Sequence, residues 1–239
     1  MSSEILGVRF DGVTMDEAVA WALERIRRRE GAYICTPNPE TVWACGKSRA
    51  LNEAVAGADM TLPDGIGVVW ASRVLGRPVP ERVSGYDFLM ALLPRLTGRV
   101  FLLGGKPGVA RRAGEVIGRQ FPHITVAGCR DGYSEEGEGD LCAVQAAEPD
   151  VVLVCLGTPR QELWMAENRS HLSSALMIGL GGSLDVLAGD VKRAPEGWIR
   201  LNLEWLYRLL RQPGRIVRQV RLPLFVMAVL AEKIKKRGS

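Results

Sequence analysis

A lone carboxylate, Asp64, lies in the loop sequence L-P-D-G-I-G, which spans residues 62–67. Pro63 stiffens the approach to this residue, and Gly65 permits a sharp turn directly after it. A carboxylate held in this way can act as a general base, a role that typically contributes about 10²–10⁴-fold to a reaction rate. Aspartate is also a preferred N-cap, so Asp64 could instead begin the helix predicted near Ile66.

Two uncharged hydrogen-bonding side chains, Thr36 and Asn38, lie in an earlier loop with the sequence T-P-N-P-E-T. This loop follows the short apolar run 32–35, and its two prolines favour an extended backbone. A short strand is therefore predicted to end in a rigid loop that carries both side chains. They are suited to orienting the hydroxyl groups of a substrate, although ordinary turn chemistry explains the same residue types.

Four further residues could contact a substrate. Arg82 precedes a predicted helix and could pair with a phosphate through its planar guanidinium, or it could be an ordinary surface charge. Gly104 and Gly105 separate a buried strand from a helix, which is a usual phosphate site but also a usual tight turn. Gln161 opens a helix after G-T-P and could bond a sugar or a base, or it could simply be a first-turn residue.

Several motifs that would assign a metal or a nucleoside triphosphate are missing from the sequence. It contains no Asp-x-Asp pair that would hold Mg²⁺ beneath a diphosphate, and no Walker A lysine loop. The two histidines, His123 and His171, lie outside every candidate loop and are predicted to be surface residues. We therefore expect no metal site and no cofactor, and we expect arginines and helix N-termini to meet the charge of a leaving group.

Short apolar runs alternate with helical patterns along most of the chain. Thr14 is predicted to cap a helix of about fourteen residues, and the segment 42–55 is predicted to form two short helices. This alternation predicts an α/β fold with a doubly wound, mostly parallel, Rossmann-like sheet, whose ligands bind at the carboxyl ends of the strands. The predicted strands span residues 8–10, 32–35, 60–62, 99–103, 124–127, 151–156 and 175–180.

The length and composition describe an ordinary globular protein of 239 residues, either one large domain or one domain with an appendage. Five cysteines without a C-x-x-C pair argue against a disulfide framework, and Cys35 and Cys155 are predicted to be buried apolar residues. No signal peptide and no apolar run long enough to span a bilayer is present in the sequence. These features predict a cytoplasmic location that still allows contact with a membrane.

The C-terminal part of the chain differs from the rest in charge. Residues 192–239 contain 12 Lys and Arg against 3 Asp and Glu, whereas the whole chain has a net charge of only +4. We therefore predict an α/β domain over residues 1–191 and a helical, basic appendage over residues 192–239 with an anionic partner. Its predicted helices span 198–211 and 215–236, separated by Pro213 and Gly214.

The second of these helices has a basic side and an apolar side. An apolar stripe beside a basic one is typical of a helix that lies in a membrane interface, where each basic residue contributes about 1 kcal/mol. A helix packed on the core with a solvated charged face is the alternative. The basic side of the second helix carries Arg215, Arg218 and Arg221, which continue the spacing of Arg211 in the preceding helix, and its apolar side carries Ile216, Val217, Val220 and Leu224.

Taken together, these motifs resemble those of the WecG/TagA/CpsF glycosyltransferases. The shared stretches occur in the same order and cover nearly the whole chain, from about residue 5 to beyond residue 221. They are T-P-N-P-E at Thr36, L-P-D-G-I-G at Leu62, R-V-S-G-Y-D at Arg82, L-L-G-G at Leu102, G-x-P-x-Q-E at Gly157, G-G-S-L-D at Gly181 and the tail from R-A-P-E-G-W to R-Q-P-G-R.

The resemblance implies transfer of a sugar from a UDP-sugar donor to N-acetylglucosamine on undecaprenyl diphosphate, a polyprenyl-diphosphate acceptor, with inversion. A TagA-like member transfers N-acetylmannosamine in a β-1,4 linkage during wall teichoic acid synthesis, as a peripheral enzyme on the inner face of the cell membrane. Asp64 is implied as the catalytic base and Thr36 as its partner at the reacting sugar. The implied substrate-binding residues are Asn38, Arg82, Gln161, Gly104, Gly105, Gly157, Asp185, Arg215, Arg218 and Arg221.

Other functions stay open at this point. A family member could use UDP-N-acetylmannosaminuronate, UDP-glucuronate or UDP-glucose as the donor. A non-catalytic, nucleotide-binding protein at a membrane would use the Gly104–Gly105 loop and the basic tail equally well. A nucleic-acid partner is not expected, because few aromatic residues accompany the basic face. An isolated sheet domain could self-associate through the surface that the tail covers.

Overall fold

The structure is a computed structural model that describes residues 2–132, 137–201, 203–211 and 221–237. Its strands form a two-stranded antiparallel hairpin, β1–β2, and a six-stranded parallel sheet in the order β4-β3-β8-β7-β5-β6. The strands are β1 (Ser2–Ile5), β2 (Val8–Asp11), β3 (Ala32–Cys35), β4 (Met60–Thr61), β5 (Gly98–Gly104), β6 (Ile124–Arg130), β7 (Val151–Cys155) and β8 (Leu176–Gly179).

Helices cover both faces of the parallel sheet, which confirms the predicted doubly wound α/β fold. Described in chain order, they are α1 (Met15–Arg28), α2 (Pro39–Cys45), α3 (Arg49–Ala56), α4 (Ile66–Val74), α5 (Gly85–Leu92), α6 (Val109–Gln120), α7 (Gly137–Ala146), α8 (Arg160–Asn168), α9 (Ser183–Leu187), α10 (Glu196–Arg200), α11 (Glu204–Arg211) and α12 (Arg221–Arg237).

The strands at the centre of the sheet are buried on both faces. Every residue of β7 and β8 is buried, as the continuous apolar runs V-V-L-V-C and L-M-I-G require. β3 pairs in parallel with β8 from Ala32 opposite Leu176 to Ile34 opposite Ile178. The carboxyl ends of β3, β7 and β8 therefore meet at one edge of the sheet, together with that of β4.

Each face of the sheet has its own apolar core. One core joins the sheet to α1, α5, α6 and α9, and the other joins it to α2, α3, α4, α7, α8, α12 and the hairpin. The predicted first helix is confirmed, since Thr14 caps α1 in a complete capping box with Glu17. Cys35 and Cys155 are buried as predicted, and burial raises the pKa of the Cys155 thiol to about 12.

The N-terminal hairpin contains a strand that the sequence did not predict. β1 precedes the predicted strand and pairs with it from Ser2 opposite Asp11 to Ile5 opposite Val8. The turn between them is formed by Leu6 and Gly7, both with positive φ. Two-residue turns of this kind usually have Asn, Asp or Gly at the first position and Gly at the second. Here only Gly7 fits that pattern, because leucine is uncommon at positive φ.

The helical tail is divided differently from the prediction. The single helix predicted over residues 198–211 is wrong, because α10 ends near Arg200 and α11 begins at Glu204. The N–H of Leu203 donates to the Trp198 carbonyl, a six-residue closure typical of a helix C-terminus. The predicted helix over residues 215–236 is described from Arg221 onward; its earlier part lies outside the described residues.

Helix α12 packs on the α/β core through one of its faces. Phe225 and Val229 are 1% and 0% exposed and join the same core cluster as α2 and α4. At the far end of α12, Glu232 accepts a hydrogen bond of 3.0 Å from the backbone N–H of Leu6 in the hairpin turn. In the described ranges, no helix is both long and apolar enough to cross a membrane.

Candidate active site

A cavity of about 600 Å³ opens where β3, β4, β7 and β8 end. Each of these strands contributes the loop that follows it, as expected for an open parallel sheet. Helix α12 also contributes Arg221. The loop residues that line the cavity are Thr36 and Asn38 after β3, Asp64 after β4, Gly157, Thr158, Pro159 and Gln161 after β7, and Leu180, Gly181 and Gly182 after β8.

Asp64 lines this cavity and does not cap α4. The N-cap of α4 is Gly65, and no side chain bonds to the helix there, so the interpretation of Asp64 as an N-cap is wrong. Instead, an Oδ2 atom of Asp64 lies 3.5 Å from the backbone nitrogen of Gly85, the first residue of α5. The N-terminus of a helix attracts negative charge, so the carboxyl group of Asp64 lies at the favourable end of the α5 dipole.

Thr36 lies beside the same helix N-terminus. Its hydroxyl donates a 2.7 Å hydrogen bond to the carbonyl of Gly179 at the end of β8, and the residue is only 8% exposed. A Cβ atom at Gly85 would lie 3.1 Å from the Thr36 Oγ1. Gly85 thus allows the hydroxyl of Thr36 and the carboxylate of Asp64 to approach the same backbone.

Asn38 serves the local turn and also lines the cavity. Its side-chain carbonyl caps α2 by accepting hydrogen bonds from the backbone N–H groups of Glu40, at 2.9 Å, and Thr41, at 3.0 Å. Pro39 occupies the first turn of this helix, where its missing N–H costs nothing. Turn chemistry is therefore part of the explanation for Asn38. Its role in binding substrate stays a prediction.

Gln161 lines the cavity, is 3% exposed and joins two loops. Its side-chain oxygen accepts a 2.9 Å hydrogen bond from the N–H of Gly181, after β8. Its side-chain nitrogen donates a 2.9 Å hydrogen bond to Glu162, which also accepts one of 2.9 Å from the hydroxyl of Thr158. This network fixes the loops after β7 and β8 relative to each other.

Glu162 is a buried carboxylate that the sequence interpretation missed. It is 1% exposed, and its Oε2 atom has no hydrogen-bond partner among the described residues. Burial raises the pKa of this carboxyl above its ordinary value of 4.5, against the opposing effect of Gln161 and Thr158. Its position about one helical turn before the buried Met165 is the sequence signal that could have indicated it.

The raised pKa predicts a specific pH dependence of stability. A carboxyl whose pKa is higher in the folded than in the unfolded state contributes stability that is complete below the ordinary value and is lost as the pH rises through the folded value. Glu162→Gln removes this ionisation, so its urea midpoint should rise relative to the wild-type midpoint as the pH increases from about 4 to about 8. Glu167→Gln, an exposed change on the same helix, is the control; a pH-independent difference for Glu162→Gln would contradict the prediction.

Arg82 does not line the cavity. Its guanidinium is 18% exposed and forms ion pairs with Asp87, at 3.1 Å, and with Glu204 of α11, at 3.5 Å. Asp87 also accepts from Arg193 and, at 2.5 Å, from the hydroxyl of Ser84. The surface-charge interpretation of Arg82 is therefore wrong, and a phosphate would have to displace these carboxylates to bind it. Its role as a substrate ligand stays a prediction.

The glycine pair at the end of β5 also lies outside the cavity lining. Gly104 has a φ of 125°, and a Cβ atom there would lie 2.3 Å from the backbone oxygen of Cys155 on the neighbouring strand. Close packing of β5 against β7 therefore explains this glycine without a ligand. Gly105 follows with a φ of 76°, and Asp185 lies in the first turn of α9 without lining the cavity.

The tail arginines are placed only in part. Arg221, the first residue of α12, lines the cavity, whereas Arg215 and Arg218 lie outside the described residues. The structure adds residues that the sequence interpretation did not select, on α2, on the connection to α3 and in the first turn of α3. They are Glu40, Thr41, Trp43, Ala44, Lys47, Ser48 and Leu51.

A doubly wound parallel sheet with a polar cavity at the ends of its strands defines the class of α/β enzymes that bind their ligands at that edge. A family model described as the glycosyl transferase WecG/TagA/CpsF family matches residues 3–239. The chain belongs to this family and is a glycosyltransferase. In the part of the chain that the structure describes, no group of three or more His, Cys, Asp or Glu side chains is arranged to hold a metal ion.

Three relatives carry the name N-acetylglucosaminyldiphosphoundecaprenol N-acetyl-beta-D-mannosaminyltransferase. The protein from Bacillus spizizenii is 40% identical over 206 residues, which cover 85% of this chain and 80% of the relative. The protein from Bacillus subtilis is 40% identical over 215 residues, covering 89% and 84%. The protein from Staphylococcus aureus is 34% identical over 244 aligned positions, covering 98% and 94%.

Proposed function

We propose that this enzyme transfers N-acetylmannosamine from UDP-N-acetylmannosamine to N-acetylglucosamine on undecaprenyl diphosphate, forming a β-1,4 linkage. The observation that carries the proposal is the convergence of Asp64, Thr36 and Arg221 on one cavity. The names of the three relatives support the acceptor and the transferred sugar. The product would enter the synthesis of wall teichoic acid or a related cell-surface polymer.

In the proposed mechanism, Asp64 is the general base of a single displacement. Its carboxylate takes the proton from the acceptor hydroxyl as that oxygen attacks the anomeric carbon of the donor sugar. The bond between the anomeric carbon and the UDP oxygen breaks at the same time, UDP leaves with the electron pair, and the configuration inverts. The N–H of Gly85 near the Oδ2 atom holds the carboxylate in place while its other oxygen faces the proton.

Thr36, Asn38 and Gln161 are proposed to orient the two sugars. The donor hydrogen of Thr36 is already directed at Gly179, so its oxygen lone pairs are the groups that it offers to a sugar hydroxyl. The network of Gln161 with Glu162 and Gly181 holds that side chain in one orientation before a substrate binds. Such preorganisation lowers the ordering cost in the reactive complex.

The negative charge on departing UDP is proposed to be met by basic side chains and by backbone N–H groups, without a metal ion. Gly157 and Gly181 line the cavity with backbone of positive φ, and Arg215 and Arg218 of the tail are the proposed basic side chains. Preorganised donors of this kind stabilise charge that develops in a transition state. Turnover in the presence of a chelator tests this part, and a strict requirement for added Mg²⁺ or Mn²⁺ would contradict it.

The test of the whole proposal is a turnover assay with a short-chain lipid diphosphate N-acetylglucosamine and a panel of UDP-sugars. We expect a disaccharide product with UDP-N-acetylmannosamine and inversion at its anomeric carbon. If the enzyme used only a uronate donor or UDP-glucose, it would still be a glycosyltransferase, but the proposed donor would be wrong. Absence of transfer from every UDP-sugar in the panel would overturn the proposal.

We also propose that the enzyme binds peripherally to the inner face of the cell membrane. The exposed apolar side chains of α12 support this part of the proposal. Phe225 and Val229 point to the core, whereas Met227, Leu230 and Ile234 lie on the opposite side of the helix and are 64%, 44% and 72% exposed. Among the described residues, all large apolar side chains with such exposure lie between residues 201 and 234. An apolar stripe with flanking lysines is suited to an anionic lipid surface.

The double variant Met227→Glu/Ile234→Glu is expected to bind anionic lipid vesicles at least about tenfold more weakly than the wild-type chain, because it inserts two charges into the apolar stripe. Co-sedimentation with vesicles that contain phosphatidylglycerol measures the effect. Gln120→Glu on the exposed side of α6 adds a similar charge elsewhere and should leave vesicle binding unchanged. Equal binding by the double variant and the wild-type chain would exclude this face of α12 as the membrane contact.

A further inference from the structure

The cavity extends beyond Thr36 and Asp64 toward the connection between α2 and α3. Trp43, Lys47 and Ser48 line this outer arm. The Lys47 ammonium lies 4.9 Å from the centre of the Trp43 ring, a cation–π contact that holds an otherwise flexible side chain. Since an α-helix rises about 1.5 Å per residue, the end of α2 lies roughly 10 Å from Asn38. The outer arm thus lies about one length of α2 away from Asn38.

Basic side chains are scarce around this cavity. Of the described residues that line it, only Lys47 and Arg221 carry a positive charge. Arg82, the other arginine expected to bind phosphate, is occupied by Asp87 and Glu204. Lys47 forms no ion pair within the described part of the chain, so its charge is available to an anion.

The location of α12 indicates which anion reaches the outer arm. Arg221 begins the described part of this helix, and the exposed apolar side chains Met227 and Ile234 follow on it. A lipid-linked substrate that lies along this surface would bring its diphosphate to Arg221 first. The loops after β7 and β8, which carry Gly157 and Gly181, line the rest of the cavity and remain for the donor.

We propose that Lys47 and Arg221 together bind the diphosphate of the lipid-linked acceptor, with Trp43 holding Lys47 in place. The outer arm of the cavity is then the acceptor subsite, and it places a sugar attached to the diphosphate next to Asp64. This inference rests on the proposed function, because it needs an acceptor that contains a diphosphate. It adds a binding residue, Lys47, that no motif in the sequence had indicated.

The test is Lys47→Met, which removes the charge and keeps an unbranched side chain against Trp43. Calorimetric titration should show about tenfold weaker binding of a short-chain prenyl diphosphate N-acetylglucosamine, a typical effect for one charge-assisted contact. Binding of the UDP-sugar should change less than about twofold. Raising the ionic strength should weaken acceptor binding more in the wild-type chain than in the variant. Salt screens the attraction between the Lys47 charge and the diphosphate, and the variant lacks that charge.

Arg49→Met is the matched control, since Arg49 follows two residues later, is 92% exposed and does not line the cavity. It should bind both ligands as the wild-type chain does. Unchanged acceptor binding by Lys47→Met would overturn this inference, as would an equal loss of UDP-sugar binding, which would reassign Lys47 to the donor. A wild-type chain that binds no diphosphate acceptor would instead refute the proposed function, so the two failures can be told apart.

Discussion

Replacing Asp64 with asparagine is expected to lower kcat by about 10²–10⁴-fold, the contribution of a general base. Asparagine keeps the size of the side chain and can still accept the hydrogen bond from the Gly85 N–H, but it cannot take a proton from the acceptor hydroxyl. UDP-sugar binding should therefore change little. Steady-state kinetics with a short-chain acceptor, together with calorimetry of UDP binding, separates the two effects.

Two other carboxylates make this prediction selective. Asp16→Asn, at a side chain that is 98% exposed on α1, should leave kcat unchanged. Glu40 lines the cavity as well, so Glu40→Gln is the informative comparison. A large loss for Glu40→Gln with nearly normal turnover for Asp64→Asn would transfer the role of base to Glu40. A loss of UDP binding in Asp64→Asn would show that Asp64 acts in binding.

Replacing Phe225 with alanine is expected to destabilise the packing of α12 on the core by about 3–5 kcal/mol, the usual cost of emptying a buried phenylalanine site. Phe225 is 1% exposed and belongs to the core cluster that includes Val42 of α2 and Val68 of α4. Hydrogen exchange of α12 and the urea unfolding midpoint measure the loss. Because Arg221 lies one turn earlier on the same helix, kcat/KM for the lipid-linked acceptor should fall in parallel.

Met227→Ala is the control for this effect on stability, because Met227 is 64% exposed on the opposite face of α12. Its unfolding midpoint should match that of the wild-type chain. A chain that ends after Arg193 goes further, since it uncovers the apolar surface beneath Phe225 and should self-associate. Full activity of that truncated chain on a lipid-linked acceptor would contradict the proposed role of Arg221 in acceptor binding.

Local sequence signals determined much of the fold. The capping box at Thr14 and the apolar spacing of α1 marked a helix that the structure describes over residues 15–28. The uninterrupted apolar run 151–155 marked a strand with both faces covered, which is the arrangement in a parallel sheet. These elements could be predicted from the sequence because helix propensity, capping and the spacing of apolar residues each depend on only a few neighbouring residues.

The tail shows where such signals fail. Residues 198–211 have a continuous helical pattern, yet the chain turns between α10 and α11. Glu204, near the start of α11, pairs with Arg82 and lies beside the Asp87 and Arg193 cluster on another part of the fold. Contacts of this kind join residues that are far apart in the chain, and they override a local preference worth only tenths of a kcal/mol per residue.

For the site, the sequence by itself determined that Thr36, Asn38, Asp64 and Gln161 follow strands and carry suitable chemistry. Only the tertiary structure decided that these residues share one cavity while Gly104 and Arg82 lie outside its lining, and that Lys47 and Glu162 belong to the same region. The physical reason is that strand order and helix packing set which loop ends meet. Strand order and helix packing depend on long-range contacts that no local pattern encodes, whereas the residue types in each loop can be read directly from the sequence.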